Sequence, residues 1–397
     1  MSTPSRTLLL LDVDGVLVHP VGYKTALHTL VNRMAARMGQ PPLGPTEDEI
    51  AIFEACGLTN EWDSGAVCVS ALLAAALERA PALRRDTLEA TLDAIGAAGI
   101  TLDRPDFTAE ARAIARHETD GRYPTARYLE LLAARTDPAN MPLLRALLGN
   151  VYAVRDTLTT RTFQTLVLGS ERFSATYGQP AAFACNSYLA TYDIALLTAQ
   201  ARARLLDWAC LPGHGAAIFT ARPSGPPADL PPGEPVGDPP SGFAPEAELA
   251  ADLVGLAGKL PLIGQGHIGW LAWRNGRAAA DYLKPSPVQA LTAMGAALTG
   301  AEMDALCAAV VLVERGEIGG PLAALHNGAT RVVIFEDAAG GIRAVRSAAS
   351  LLQRAGLDVS VVGIGVSPNA DKRAALAPVA DHLVDDVNAG LALVLGG

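Results

Sequence analysis

The chain has 397 residues, of which 50% are hydrophobic and 18% are charged, and its formal net charge is −10. This composition can form a hydrophobic core, which excludes wholesale disorder, and the acidic balance argues against a nucleic-acid-binding surface. The apolar runs are far shorter than the roughly 18 residues that span a membrane, and no secretory signal is recognisable. The five cysteines form no CxxC pair, so neither a disulfide framework nor a structural zinc site is expected. We therefore expect a cytoplasmic protein without membrane or nucleic-acid partners.

The first predicted element is a buried parallel strand at residues 7–11, a continuous apolar run that leads directly into Asp12-Val13-Asp14-Gly15. From about residue 23 to 205 the chain changes to segments rich in Ala, Leu and Arg with helical spacing, some of them preceded by candidate N-caps such as Asp86 and Thr108. The helices predicted there cover residues 25–38, 71–79, 86–98, 108–117, 126–134 and 194–208.

Strand signals return in the second half of the chain, at residues 216–219, 331–335 and 359–364, with predicted helices at 246–256, 288–298 and 341–355. This alternation predicts βαβ units and a doubly wound parallel sheet. The fold class predicted is therefore α/β, a Rossmann-like core with an inserted all-α cap domain. The core covers residues 1–18 and 206–397, and the cap covers residues 19–205.

Within the core, residues 223–245 contain nine prolines and several glycines. Because proline and glycine interrupt regular structure, this segment is predicted to be a long irregular surface loop.

Two carboxylates follow the first strand. In open α/β sheets, ligand sites form beyond the carboxyl ends of the strands, at a topological switch point. Carboxylates two residues apart in an extended segment point in opposite directions unless the chain turns, and Gly15 permits such a turn. Asp12 or Asp14 could then attack an electrophile while the other transfers protons. The simpler interpretation is a strand that ends in an Asp-Gly turn.

Two candidate phosphate ligands lie further along the chain. Thr220 follows the predicted strand at 216–219, and a hydroxyl beside Arg222 suits a phosphate oxygen, although an ordinary strand-end threonine fits as well. Lys284 precedes a predicted helix and is one of only four lysines in the chain. A fixed ammonium could hold a nucleophilic carboxylate and a phosphoryl group together, whereas the alternative is a surface lysine.

Glu336 and Asp337 follow the predicted strand at 331–335. Adjacent carboxylates at the end of a buried strand are costly unless a cation neutralises them, and hard oxygen ligands favour Mg²⁺. The alternative is an acidic helix N-terminus, which the helix dipole would favour.

Taken in order, an Asp-x-Asp-Gly, a Thr, a Lys-Pro and a Glu-Asp near strand ends resemble the motifs of the haloacid dehalogenase superfamily. The details are most similar to its phosphatase and β-phosphoglucomutase-like branch: Leu-Asp-Val-Asp-Gly-Val-Leu, Lys-Pro-x-Pro and Phe-Glu-Asp-x-x-x-Gly-Ile. Within the insert, segments that begin at Gly22, Asn60 and Phe163 resemble an uncharacterised hydrolase subgroup of that superfamily.

The resemblance implies a role for each of these residues. Asp12 would be the nucleophile that forms an aspartyl-phosphate, and Asp14 would be the general acid and base. Thr220, Ala221 and Lys284 would bind the phosphoryl group.

The resemblance also implies a Mg²⁺ cofactor, with Asp14 contributing its backbone carbonyl and Glu336 binding either directly or through metal-bound water. The implied metal residues are Asp12, Asp14, Glu336 and Asp337.

The function predicted from the resemblance is Mg²⁺-dependent hydrolysis of a small phosphorylated metabolite by a monomer or homodimer. Lys24 and Arg222 are candidate substrate contacts, although Lys24 fits a solvated helix face equally well. A dehalogenase is disfavoured because those members lack the second aspartate. The alternatives are a phosphomutase or other phosphotransferase, an enzyme that acts on a lipophilic phosphate or diphosphate in the enlarged cap, and a non-catalytic ligand-binding protein.

Overall fold

A computed structural model describes residues 6–117, 123–237 and 243–396. The strands are β1 Arg6–Leu11, β2 Val18–His19, β3 Ile194–Ala195, β4 His214–Phe219, β5 Leu262–Ile263, β6 Thr330–Glu336, β7 Val359–Val366 and β8 His382–Val384. The helices of the first half are α1 Gly22–Arg37, α2 Glu47–Ala55, α3 Glu61–Arg79, α4 Leu88–Ala98, α5 Phe107–Arg116, α6 Pro124–Ala133, α7 Met141–Leu148, α8 Leu158–Leu168, α9 Ser170–Tyr177 and α10 Tyr188–Tyr192. Those of the second half are α11 Ala199–Ala209, α12 Glu246–Leu253, α13 Gln265–Arg274, α14 Pro287–Thr299, α15 Glu302–Arg315, α16 Ala339–Arg354, α17 Ala370–Leu376 and α18 Val387–Leu395.

The chain divides into two compact units. The α/β unit includes residues 6–20, 193–237 and 243–396, and the helical unit includes residues 21–117 and 123–192. No described helix is both long and apolar enough to cross a membrane.

The α/β unit is built on a six-stranded sheet in the order β5-β4-β1-β6-β7-β8, with every neighbouring pair parallel. The predicted α/β, Rossmann-like class is therefore confirmed. The four predicted strands overlap β1, β4, β6 and β7. The edge strands β5 and β8 were not predicted because runs of two or three residues give no usable periodicity.

The apolar side chains of β1 pack against helices on both faces of the sheet. Leu8 and Leu10 belong to one buried cluster together with side chains of α14, α15 and α16. Leu9 and Leu11 belong to a second cluster with side chains of α11, α12 and α18. Since successive side chains of a strand point to opposite faces, a strand covered by helices on both sides must be apolar throughout.

The strand order places a topological switch point beside β1. β4 pairs with one edge of β1 and β6 pairs with the other. The carboxyl ends of β1, β4 and β6 therefore lie side by side at one edge of the sheet, where a ligand site is expected.

The boundary of the insert differs from the prediction at its C-terminal end. Residues 193–205, predicted to belong to the cap, belong to the α/β unit, because α11 packs against α18 and β4. The helix predicted at 194–208 begins only at Ala199, after the N-cap Thr198. Before it, β3 pairs antiparallel with β2, so the two points where the chain passes between the units form a two-stranded sheet.

In the helical unit, α1, α3, α4, α5 and α6 overlap predicted helices. Two predicted N-caps are displaced by one or two residues. Thr87 Oγ1 accepts from the Ala90 amide at 3.2 Å, and Asp106 Oδ1 accepts from the Ala109 amide at 2.9 Å, so these side chains cap α4 and α5 in place of Asp86 and Thr108. Boundaries of this kind are ambiguous because Ser, Thr, Asp and Asn are all favoured N-caps, and two of them stand close together at each of these helix starts.

The predicted loop at 223–245 has no helix or strand in its described residues, 223–237 and 243–245, and its other residues lie outside the described part. It is not wholly a surface segment, because Ser224 is only 1% exposed. Ser224 Oγ lies 3.0 Å from His267 Nδ1, and His267 Nε2 lies 3.1 Å from Glu302 Oε2. We call Ser224, His267 and Glu302 the Ser224 network.

Candidate functional site

Lys284 joins the ends of three neighbouring strands. Its Nζ lies 2.9 Å from Asp12 Oδ1 after β1, 2.9 Å from Glu336 Oε1 at the end of β6, and 2.9 Å from the Phe219 carbonyl oxygen at the end of β4. An ammonium has three donors, so these three acceptors account for all of them. The sequence predicted only that Lys284 precedes a helix. In the structure its side chain lies at the centre of the sheet edge, between the ends of β1, β4 and β6.

The charges of this cluster are buried and interact with one another. Burial raises the pKa of Asp12 well above its ordinary range, and repulsion from Glu336 adds to this, although Lys284 opposes it. Burial alone would lower the pKa of Lys284, but the two carboxylates more than offset this and raise it. One ammonium therefore serves two buried carboxylates, which leaves the cluster short of positive charge.

A third carboxylate joins them. Oxygen atoms of Asp12, Glu336 and Asp337 all lie within 4.8 Å of one another. Burial raises the pKa of Asp337, opposed by Lys372, whose Nζ lies 2.5 Å from Asp337 Oδ2. Three converging carboxylates with a shortage of positive charge suit a divalent cation with hard oxygen ligands, and Mg²⁺ fits this donor set. We call Asp12, Lys284, Glu336 and Asp337 the Asp12 centre.

Two glycines leave room for these carboxylates. Gly15 has a φ of 73°, and a Cβ there would overlap the carboxylate of Asp337. A Cβ at Gly341, at the start of α16, would overlap Glu336 Oε1. The glycine of the Phe-Glu-Asp-x-x-x-Gly-Ile motif therefore has a physical reason, which is the close approach of helix backbone and carboxylate.

Asp14 takes a different partner from Asp12. The chain turns after β1, with the Gly15 amide donating to the Val18 carbonyl at 2.8 Å. The Asp14 carboxylate accepts from Arg222 Nε at 2.9 and 3.0 Å and from Arg222 Nη2 at 2.6 Å. Its side chain is 36% exposed, against 10% for Asp12. Of the two carboxylates, Asp14 is thus the one that solvent or a ligand can reach more easily.

The segment after β4 carries the predicted phosphate ligands. Thr220 is buried, and its Oγ1 accepts from the Arg222 amide at 3.1 Å. A hydroxyl that accepts one bond still has its own proton to donate, and a phosphoryl oxygen is a suitable acceptor. Ala221, the next residue, is exposed.

Sequence reasoning missed three residues at this edge. Gln289 is fully buried and donates to the carbonyls of Thr220 at 2.7 Å and Ile263 at 3.2 Å, which ties β4 and β5 to the start of α14. The sequence feature that could have identified Gln289 is an amide side chain in a predicted helix of mostly apolar residues. Lys372 had the same signal as Lys284, the scarcity of lysine. Asp193 contacts Arg222 and had no signal, since it lies directly before the segment 194–208, which was predicted to be a helix of the cap.

The candidate contact in the helical unit makes a surface ion pair. Lys24 Nζ lies 3.3 Å from Glu54 Oε1, with the two side chains 44% and 49% exposed. Such pairs are common on helix surfaces and contribute little. This arrangement matches the solvated helix face considered as the alternative for Lys24. Arg222, the other candidate contact, is buried and donates to carboxylates of the protein.

No protein-family model matches the sequence, and no curated protein is significantly similar to it. Among solved structures, an X-ray structure of a Northeast Structural Genomics Consortium target matches with a TM-score of 0.66 and 14% identity over 97% of both chains. That match shows a shared fold along nearly the whole length. A crystal structure of a HAD-superfamily hydrolase, subfamily IA, variant 1, from Geobacter sulfurreducens PCA covers 99% of this chain and 98% of its own, at 11% identity. Its TM-score is 0.36, which is too low to support an argument from fold.

Proposed function

We propose that this protein is a haloacid dehalogenase-type phosphatase that hydrolyses a small phosphomonoester through an aspartyl-phosphate on Asp12, with Mg²⁺ as cofactor. The observation that carries the proposal is the Asp12 centre itself, in which a buried carboxylate at a topological switch point is bound by a lysine and flanked by two further carboxylates. Phosphoryl transfer needs positioning and charge neutralisation more than it needs covalent chemistry, and this arrangement is suited to both.

In the first proposed step, a carboxylate oxygen of Asp12 attacks phosphorus as the bond from phosphorus to the ester oxygen breaks. The leaving oxygen takes a proton from Asp14, so the products are an alcohol, an acyl phosphate on Asp12 and the Asp14 carboxylate. In the second step a water molecule attacks phosphorus as the bond from phosphorus to the Asp12 oxygen breaks, and the water gives one proton to Asp14. Inorganic phosphate leaves, and the Asp12 carboxylate is restored.

The other residues bind and orient. Lys284 would hold Asp12 and offset the repulsion between this carboxylate and the phosphoryl oxygens. The Thr220 hydroxyl and the Ala221 amide would donate to the phosphoryl group. Mg²⁺, held by Asp12, Asp337, Glu336 and the Asp14 carbonyl, would neutralise charge on the phosphoryl oxygens.

The experiment is phosphate release from a panel of small phosphomonoesters, measured with Mg²⁺ and with EDTA, for the wild type and Asp12→Asn. The matched control is Asp358→Asn, an exposed aspartate of the same unit. We expect release that requires Mg²⁺, is lost in Asp12→Asn and persists in Asp358→Asn. If folded, Mg²⁺-loaded wild type releases no phosphate from any ester, the proposal fails.

Phosphotransfer on the same core is separated by the products. Free phosphate that appears in step with alcohol indicates hydrolysis. Alcohol without free phosphate, together with a new phosphate ester when an organic hydroxyl is added, indicates a phosphomutase or phosphotransferase. Inactivity on monoesters with activity on a lipophilic diphosphate, or with binding alone, would favour the remaining alternatives.

A further inference from the structure

Arg222 lies between two carboxylates from different parts of the chain. Besides its fork of hydrogen bonds to Asp14, its Nη2 donates to Asp193 Oδ2 at 3.0 Å. The side chains of Arg222 and Asp193 are 2% and 1% exposed, whereas that of Asp14 is 36% exposed. The three residues therefore form a chain of charges that runs from the interior to the candidate site.

Asp193 anchors the guanidinium independently of Asp14. A guanidinium stays charged in a protein, and a buried charge requires a counter-charge. Asp193, which is buried with it, supplies one. Arg222 is therefore still compensated when Asp14 exchanges a proton with a substrate.

The segment that contains Asp193 also restrains the backbone of Asp14. Asp14 forms a β-bridge with Val18, and Val18 lies opposite Ala195 in the β2–β3 pair. Asp193, two residues before Ala195, fixes the side chain of Asp14 through Arg222. The two residues that restrain Asp14, Val18 and Arg222, are thus each bonded to the segment 193–195, where the chain returns from the helical unit.

We propose that Arg222, anchored by Asp193, is a positioning residue that holds the Asp14 carboxyl group where it transfers a proton to the leaving-group oxygen. The inference rests on the proposed function and adds a role that neither sequence motif nor fold assigns. It also replaces the expectation that Arg222 contacts the substrate, because Nε and Nη2 of Arg222 already donate to carboxylates of the protein.

The test uses the dependence on the leaving group. Expulsion of an alkoxide requires a proton, whereas p-nitrophenolate leaves without one, so a defect in proton delivery slows alkyl esters selectively. The probes are p-nitrophenyl phosphate and glycerol 1-phosphate, each assayed for kcat and KM with saturating Mg²⁺. The variants are Arg222→Lys, which keeps the charge but not the fork, and Asp193→Asn, which keeps the shape of the anchor. Arg127→Lys, at a buried arginine of the helical unit that donates to the Ile114 carbonyl, is the matched control.

We expect Arg222→Lys to lower kcat for the alkyl ester by about tenfold or more beyond its effect on the aryl ester, with little change in KM. Asp193→Asn should act in the same direction with smaller size, and Arg127→Lys should leave the ratio unchanged. Equal losses on both esters, or a raised KM with unchanged kcat, would overturn the inference while leaving the phosphatase proposal intact. A folded, Mg²⁺-loaded wild type that releases no phosphate from these two esters or from any other ester of the panel would overturn both proposals. Circular dichroism of each variant checks that it is folded.

Discussion

Two hydrogen-bonded clusters of polar side chains in the α/β unit differ in how their charges are balanced and in how close they lie to solvent-exposed side chains. The Ser224 network has the order hydroxyl, imidazole, carboxylate, which in hydrolases activates a nucleophile. Here all three side chains are buried and bind the surrounding backbone: Ser224 Oγ accepts from the Gly266 amide, and Glu302 accepts from the amides of Ala228 and Leu262. The network therefore fastens the loop after β4 to α13 and α15.

The Asp12 centre has the opposite character. It is short of positive charge, and it adjoins the half-exposed Asp14 and the exposed Lys372, whose side chain is 57% solvent-accessible. In both the Ser224 network and the Asp12 centre, side chains that could take part in catalysis lie within hydrogen-bonding distance of one another. What distinguishes the Asp12 centre is a shortage of positive charge beside side chains that solvent can reach.

The largest effect is expected for Lys284→Met. Loss of the ammonium leaves Asp12 and Glu336 buried without their shared cation, which should lower kcat by about 10²- to 10³-fold and destabilise the fold by about 3–5 kcal/mol. Steady-state kinetics and urea unfolding measure the two effects. Lys259→Met, at an exposed lysine, is the control and should change neither. A fully active Lys284→Met would remove the Asp12 centre from the mechanism.

A smaller change is expected for Gly341→Ala, because the new Cβ overlaps Glu336 Oε1. Displacing this carboxylate should lower activity, and overpacking should cost about 1–3 kcal/mol of stability. Gly340→Ala is the matched control, since a Cβ there meets nothing within 4 Å. That control should be neutral or stabilise α16 by up to about 1 kcal/mol. Identical behaviour of the two variants would contradict the packing argument.

Glu302→Gln tests the other cluster and should affect stability more than catalysis. Burial raises the pKa of Glu302, but hydrogen bonds from His267 and the backbone more than offset this and lower it below the ordinary value of 4.5. The ionised form therefore stabilises the fold above pH 4.5, and this contribution disappears as the pH falls through the folded-state pKa.

We expect Glu302→Gln to lose about 1–3 kcal/mol in urea unfolding at pH 7, with a smaller difference from wild type in acid. Loss of kcat in a variant with unchanged stability would mean that the Ser224 network takes part in chemistry, and the comparison between the two clusters would fail.

The smallest effect is expected for Lys372→Met. Lys372 pairs with Asp337, so it competes with a cation for this carboxylate. Because the Lys372 side chain is 57% exposed, the contribution of the pair is expected to be about 1 kcal/mol. Mg²⁺ should therefore bind about two- to fivefold more tightly to the variant, measured by isothermal titration calorimetry. Weaker binding would instead make Lys372 a support for the metal site.

The sequence was sufficient to predict which residues follow the central strands. Asp12, Thr220 and Glu336 could be placed at strand ends because a buried strand reads as an apolar run. The first polar residue after that run marks the carboxyl end of the strand. Their partners could not be predicted, because local periodicity carries no information about distant contacts. Lys284 and Asp12, and Arg222 and Asp14, are each more than 200 positions apart. Asp193 shows the limit most clearly, since its role depends on the return path of a chain that passes through an entire helical unit first.

The pairing of β1 also has a consequence for how the chain acquires its fold during synthesis. Thr7 pairs with His214 on one side and with Arg331 on the other, roughly 200 and 320 residues later. Helices of the inserted unit depend on local contacts and can form while the ribosome is still translating, whereas the apolar β1 segment must wait for both neighbours. Until β6 emerges, β1 is an apolar strand with one unpaired edge, and such an edge is a template for pairing with another chain.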